Sequence, residues 1–243
     1  DDDAVAFDHG NPSTQKAIFG YGNSGSVISI TNLVSSSGVV ATDVTGVGTA
    51  RDSLKAASYG VDKAIFAYGF NGSSRLSMSN LVNNSGVVAT DVTGVGTARQ
   101  YLAAAEYGVD KAIFGYGTSG SSVSVTNLVS SSGVVSADVT GVGTARYALE
   151  ATRYGTDKAI FGYGYDGSLI SYTNKVSNLG VVSADVSGVG TGREGTAAAG
   201  YGGDKAIFGY GYAGGNLSMT NLVSNTGVVA ADVTGVGTAR RYL

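Results

Sequence analysis

Between Tyr101 and Val139 the apolar residues fall either at every second position or in short unbroken runs, and each run is bounded by Gly, Ser or Asn. Alternation and short apolar runs set between turn residues are strand signals, whereas a helix needs apolar positions spaced by 3.6 residues. The pattern predicts four strands: Tyr101–Tyr107 (a), Lys111–Gly117 (b), Ser121–Val129 (c) and Gly133–Val139 (d). No part of the chain carries the period of a helix of useful length. The predicted fold class is all-β.

The same pattern is written five times. The anchor KAIFGYG, once KAIFAYG, starts at Lys16, Lys63, Lys111, Lys158 and Lys205, so the steps are 47, 48, 47 and 47 residues. The extra residue falls within NGSSRLSMSN of the second copy, where a turn absorbs it. Periods of this length mark arrays of small structural units. A four-stranded sheet of this size cannot bury both faces alone, and radial stacking of such sheets makes a β-propeller. The expectation is a five-bladed β-propeller with four-stranded antiparallel blades in a closed ring. It forms one domain over 1–243, with blades near 4–51, 52–99, 100–146, 147–193 and 194–243.

Strand a suits the crowded axis, because it carries Ala56 and Ala57, Ala104 and Ala105, Ala151 and Thr152, and Ala198 and Ala199. Strand b is almost continuously apolar, as expected for a strand covered on both faces. The chain stops at TARRYL, where another strand a should begin, and opens on AVAFDHG, which supplies one. The last blade is therefore expected to lead back to the first.

In Thr144–Gly164, TARYALEATRYGTDKAIFGYG, an Arg precedes a strand of small and apolar residues, and a strand ending in aromatics and glycine follows. In this order the chain resembles kelch-type β-propellers over essentially its whole length. GYG stands where that family has a double glycine, and the family's outer-strand Trp has no counterpart. The resemblance implies a propeller and admits both binding modules and enzymes. The closeness of the copies also resembles the repeat arrays of bacteriophage structural proteins, which implies an extracellular or virion-associated setting.

Composition narrows the partners. With 43% hydrophobic and 14% charged residues the chain has ample material for a core and is expected to fold throughout. Thirty-nine glycines against the single Pro12 suit many tight turns. The formal charge is −3 and the basic residues are scattered singly, so no track for a phosphate backbone exists and nucleic acid is not an expected partner. No apolar run approaches the roughly 20 residues that span a bilayer, so membrane insertion is not expected. Cysteine is absent, which removes disulfides and thiolate metal sites. The start, DDDAVAF, lacks an initiator Met and the features of a signal peptide, and points to a chain processed or cut from something longer.

Little catalytic chemistry is legible. DVTGVGTAR recurs up to Arg51, Arg99, Arg146, Arg193 and Arg240, but a strand follows its glycines where a phosphate loop needs a helix. Each copy pairs that Arg with Asp43, Asp91, Asp138, Asp185 or Asp232, and five symmetric pairs read as hydrogen bonding between blades or in turns. The Asp-Lys pairs ahead of strand b, such as Asp110 and Lys111, read the same way. His9 is the only histidine, which excludes a multi-histidine metal centre, and no GxSxG elbow accompanies it. The three aspartates at the start read as solvated. No catalytic residue, metal site or cofactor is predicted, and the protein is read as not an enzyme.

Comparison of the copies with one another shows where they diverge. The residues after the Arg vary (Asp52 and Ser53, Gln100 and Tyr101, Tyr147 and Ala148, Glu194 and Gly195, Arg241 and Tyr242), and so do the b–c turns. In an up-and-down sheet both sets emerge at one end, and loops on a rigid scaffold are where binding residues gather. The candidate ligand-binding residues are Tyr101, Tyr147, Tyr165, Tyr212, Arg75, Asp166 and Arg241. The expected function is a monomeric, non-catalytic recognition or structural module that holds a protein or glycan partner. One alternative is a lectin with five equivalent pockets on the GYG tyrosines Tyr21, Tyr68, Tyr116, Tyr163 and Tyr210. The other is a carbohydrate-active or oxidase-type propeller enzyme, which rests on the kelch resemblance alone.

Overall fold

The computed structural model describes residues 3–7 and 16–243, with side chains from residue 16 onward. His9, Pro12 and the first two aspartates lie outside the described residues. Five antiparallel sheets follow one another along the chain. The first contains β1 (Asp3–Phe7), β2 (Lys16–Gly20) and β3 (Thr31–Val34), and the second β4 (Lys55–Tyr59), β5 (Lys63–Ala67) and β6 (Ser79–Val82). The third contains β7 (Ala103–Tyr107), β8 (Lys111–Gly115) and β9 (Thr126–Val129), and the fourth β10 (Glu150–Tyr154), β11 (Lys158–Gly162) and β12 (Thr173–Val176). The fifth contains β13 (Ala197–Tyr201), β14 (Lys205–Tyr212) and β15 (Asn216–Val223). No helix occurs among the described residues. The extra residue of the second copy does lie in a turn: Phe70 pairs with Arg75 across four residues, where Thr118 pairs with Ser122 across three.

The sheets have three strands where four were expected, and the reason is a bulge in segment d. Val135 pairs with Val129, but Val139 pairs with Thr126, so four residues of d oppose three of β9. A bulge of this kind breaks the ladder and leaves isolated bridges. The gap is filled by a side chain, because Asn127 Nδ2 donates to Ser136 O at 3.0 Å and to Asp138 Oδ1 at 2.9 Å. Strand b is also shorter than its apolar run in the first four sheets, ending before a left-handed tyrosine (Tyr116 φ 63°), whereas in the fifth the equally left-handed Tyr210 (φ 61°) sits within a bulge and the strand continues to Tyr212.

The core lies between sheets rather than within them. One cluster joins Tyr59, Ile65 and Tyr68 of the second unit to Leu102, Ala112 and Phe114 of the third, and equivalent clusters join the other neighbours. At the contact between the third and fourth sheets the Tyr116 ring lies between the Arg146 guanidinium, 4.2 Å from its centroid, and the Phe161 ring at 5.1 Å. Arg146 is fully buried. It donates from Nη1 to Thr144 O (3.1 Å), from Nε to Tyr163 O (2.9 Å) and from Nη2 to Asn174 Oδ1 (2.7 Å). Asp185 accepts from Thr144 N at 2.9 Å and Thr144 Oγ1 at 2.6 Å, which ties the crossover of one unit to the next sheet. Arg51, Arg99 and Arg193 repeat this clasp with Asn80, Asn127 and Asn221. The recurrent Asp and Arg are thus fastenings between units.

The clasp makes stability sensitive to pH at both ends of the scale. Burial alone would raise the carboxyls of Asp91, Asp138 and Asp185, but hydrogen bonds from Thr and Asn outweigh it and hold them below the ordinary carboxylate value. A carboxyl depressed on folding stabilises fully above its unfolded pKa, near 4, and that contribution is lost as pH falls through the folded value. Burial pushes the Tyr116 and Tyr163 phenols up to about 12 from 10.0, so their contribution is intact below 10 and is lost as pH rises towards 12. The thermal midpoint followed by circular dichroism should stay level near neutrality and fall below pH about 4 and above pH about 10. A midpoint that rises on acidification would contradict this account.

The ring expected from the sequence is not closed. Phe19 of β2 is 38% exposed and Tyr201 of β13 is 40% exposed, although their counterparts Phe66 and Tyr59 are buried inside inter-sheet contacts. Closure needs an angle between neighbouring sheets that brings the last back to the first, and the number of copies does not by itself specify that angle.

Candidate functional site

The inner strands of the second to fifth sheets border a common axial cavity. Lys55 of β4 reaches Glu150 of β10 at 2.7 Å, linking the second and fourth sheets, and Arg153 of β10 lies 3.7 Å from Glu106 of β7. The small residues of strand a leave room along the axis: Ala57, Ala105 and Ala151 border the cavity, about 380 Å³ in volume, beside Glu106 and Arg153. Lys55, Glu106, Glu150 and Arg153 of the inner strands thus form ion pairs between sheets.

At one end of the axis the crossovers join into a spiral. Ser53, Tyr101, Ala148, Gly195 and Tyr242 all adopt left-handed backbone, with φ between 52° and 58°. Each donates its N–H to the carbonyl of the one before it: Tyr101 to Ser53 at 3.1 Å, Ala148 to Tyr101 at 3.0 Å, Gly195 to Ala148 at 3.0 Å and Tyr242 to Gly195 at 2.9 Å. Non-glycine residues hold this conformation only where the surroundings over-determine it, and the hydrogen-bonded spiral does so here. Its effect is to project side chains around the hub at fixed spacing.

The preceding residue of each crossover pairs with the b–c turn of its own sheet, through the bridges Asp52 with Phe70, Gln100 with Thr118, Tyr147 with Tyr165, and Glu194 with Tyr212. The two variable sets therefore share one face. On it, Tyr101 and Tyr147 have ring centroids 6.2 Å apart, and Tyr147 and Tyr165 meet edge to face at 5.6 Å. These three rings and Asp166 line a shallow depression of about 410 Å³ together with Thr118, Ser121 and Ser122. Asp166 caps its own turn by accepting from Ser168 N at 2.9 Å, which orients the carboxylate. Tyr212 lies under the Arg241 guanidinium at 4.4 Å, and the same guanidinium lies 5.3 Å from the Tyr242 ring.

Six of the seven candidates thus fall into two groups on one face. Arg75 stands apart in the turn of the second sheet, paired with Phe70. Glu194 and Tyr242 were not among the candidates, yet they connect the two groups. Burial and then the Glu194 charge raise the Tyr147 phenol, and the same two causes raise Tyr242, which also feels Arg241, Tyr101 and Tyr147. Both occupy the variable crossover positions, so the register carries the signal, but nothing local distinguishes them from the other variable residues there. The GYG tyrosines are interior groups: Tyr21, Tyr68, Tyr116 and Tyr163 are at most 1% exposed, each behind a guanidinium. Five equal sugar pockets cannot be built on them. Among the described residues no group of three or more carboxylates or imidazoles is gathered as a metal site. No protein-family model matches the chain, and no curated protein matches it.

Proposed function

We propose that this protein is a non-catalytic recognition module, a propeller-type, kelch-like scaffold that holds a glycan or protein partner on its aromatic face. The observation that carries this reading is the row Tyr101, Tyr147 and Tyr165 beside the hydroxyls of Ser121 and Ser122 and the Asp166 carboxylate. Phenol rings offer flat apolar area with a polar tip at low entropic cost, and a fixed carboxylate accepts hydrogen bonds from hydroxyls. A shallow depression with this mixture suits the apolar face and hydroxyl edge of a pyranose. Among the described residues it occurs once, because Tyr147 and Tyr165 give way to Gln100 and Thr118 in the preceding unit, and Tyr147 gives way to Glu194 in the following one. One partner per chain is therefore expected, rather than five.

A glycan array followed by titration of the best ligand tests this. Binding should saturate at one site per chain, and Tyr147→Ala should weaken it about tenfold or more, as truncation of a central aromatic anchor does. Binding that is indifferent to both Tyr147→Ala and Asp166→Asn, or that saturates near five per chain, would refute the reading.

A further inference from the structure

The two outermost sheets each expose one half of the contact that is made four times inside the molecule, and we infer that these halves join, so that the fifth sheet of one copy receives the first sheet of a second copy. Inside the molecule Phe66, Phe114, Phe161 and Phe208 are fully buried against the tyrosine of the preceding unit, whereas Phe19, the same residue of the first sheet, is 38% exposed. The complementary seat is vacant at the other end. A side chain at Gly162 would strike the Phe208 ring at 2.8 Å, but a side chain at Gly209 would meet only the Thr220 methyl at 3.3 Å. The seat that Phe208 fills against the fourth sheet is thus open on the fifth.

The polar half of the contact is divided in the same way. Arg240 already lies over Tyr210 at 4.2 Å and donates to Thr238 O at 3.1 Å, as its internal counterparts do with their own tyrosine and threonine. Its forward partners are missing, because the next asparagine and aspartate belong to a first sheet. Those residues are Asn32 and Asp43, and Asn32 Nδ2 already donates to Asp43 Oδ1 at 2.9 Å, the arrangement found in every acceptor half. Arg240 brings a positive charge to one face and Asp43 a negative charge to the other, so the match holds in sign as well as in shape. A third pair agrees: Tyr59, Tyr107 and Tyr154 pack against Gly133, Gly180 and Gly227 of the next unit, while Tyr201 is 40% exposed and nothing lies within 4 Å of a side chain built at Gly38. The two faces differ, so the association is heterologous and each copy uses one face per contact. The module is then not monomeric at high concentration, in contrast to the expectation from sequence.

Sedimentation velocity on the 243-residue chain, with Phe19→Glu and Arg240→Glu, tests this. Wild type should form species larger than 24.3 kDa with rising concentration. Each variant should lose self-association by about tenfold or more, because each places a charge against an apolar or like-charged seat. An equimolar mixture of the two should then form a dimer and stop there, since the first keeps the Arg240 face and the second keeps the Phe19 face. Both positions are exposed, so unchanged circular dichroism spectra should accompany the loss. A wild type that stays at monomer mass up to its solubility limit overturns the inference. So does a mixture that does not dimerise, or a single variant that still pairs with itself.

Discussion

Arg146→Ala is expected to weaken the contact between the third and fourth sheets by about 3–5 kcal/mol, the range for removing one partner from a fully buried charged network. The substitution empties the space over the Tyr116 ring and strips three donors from Thr144 O, Tyr163 O and Asn174 Oδ1. It also leaves Asp185 without the guanidinium 3.8 Å away. Arg146→Lys should recover only part of the loss, because an ammonium carries the charge without the planar fork or the stacking surface. The informative control is Arg240→Ala. Arg240 closes the same motif and lies over its own tyrosine, but it is exposed, so the change should stay within about 0.5 kcal/mol in dilute solution. Urea midpoints for the three variants decide the matter, and an Arg146→Ala shift no larger than that of Arg240→Ala would show that the clasp does not hold the sheets.

Gly143→Ala should be nearly as damaging, for a different reason. Gly143 has φ 77°, a left-handed conformation that costs other residues about 1–2 kcal/mol. An added methyl would also collide with Asp185 Oδ1 and would lie 2.6 Å from Asn174 Nδ2, displacing the carboxylate that Thr144 binds. Together these should destabilise by about 3 kcal/mol. At Gly237, φ is 88° but the nearest atom to an added methyl is the Tyr210 hydroxyl at 3.8 Å. Gly237→Ala should therefore show the backbone penalty alone, and equal losses at the two sites would remove the steric part of the account.

Strand positions were legible because apolar alternation between glycine-rich turns is a local signal. Strand limits in the third unit were less so: strand a starts two residues late at Ala103, strand b stops two residues early at Gly115, and strand c is confined to Thr126–Val129 instead of starting at Ser121. Tyr101 and Tyr116 both take left-handed backbone, which no propensity assigns to tyrosine, and each makes a contact that crosses between units, Tyr101 N–H to Ser53 O and the Tyr116 ring to Phe161. Segment d shows the same limit. Its valines alternate as a strand should, yet one surplus residue against β9 reduces it to two bridges.

That the crossovers and the b–c turns share a face was readable, because in an up-and-down sheet both emerge at one end. Which of its residues act together was not readable. Tyr147 touches both Tyr101 and Tyr165, and Tyr242 joins the group from the far end of the chain through the hydrogen-bonded spiral. Conversely, the GYG tyrosines repeat as a ligand set would. The structure places four of them in the interior as the apolar filling of the clasp.

By itself the amino-acid sequence determined that this protein is all-β, that it is built from five like units, and that each unit repeats one Arg and one Asp suited to hydrogen bonding between units or in turns. These are properties of short segments and of their repetition, and repetition is visible without coordinates. Tertiary structure alone decided how far the sheets sweep about the axis, and therefore that identical motifs have unlike fates: Arg146 is sealed between two sheets and Arg240 faces outward. The physical reason is that burial is a relation between neighbours, and the outermost members of an unclosed stack each lack one.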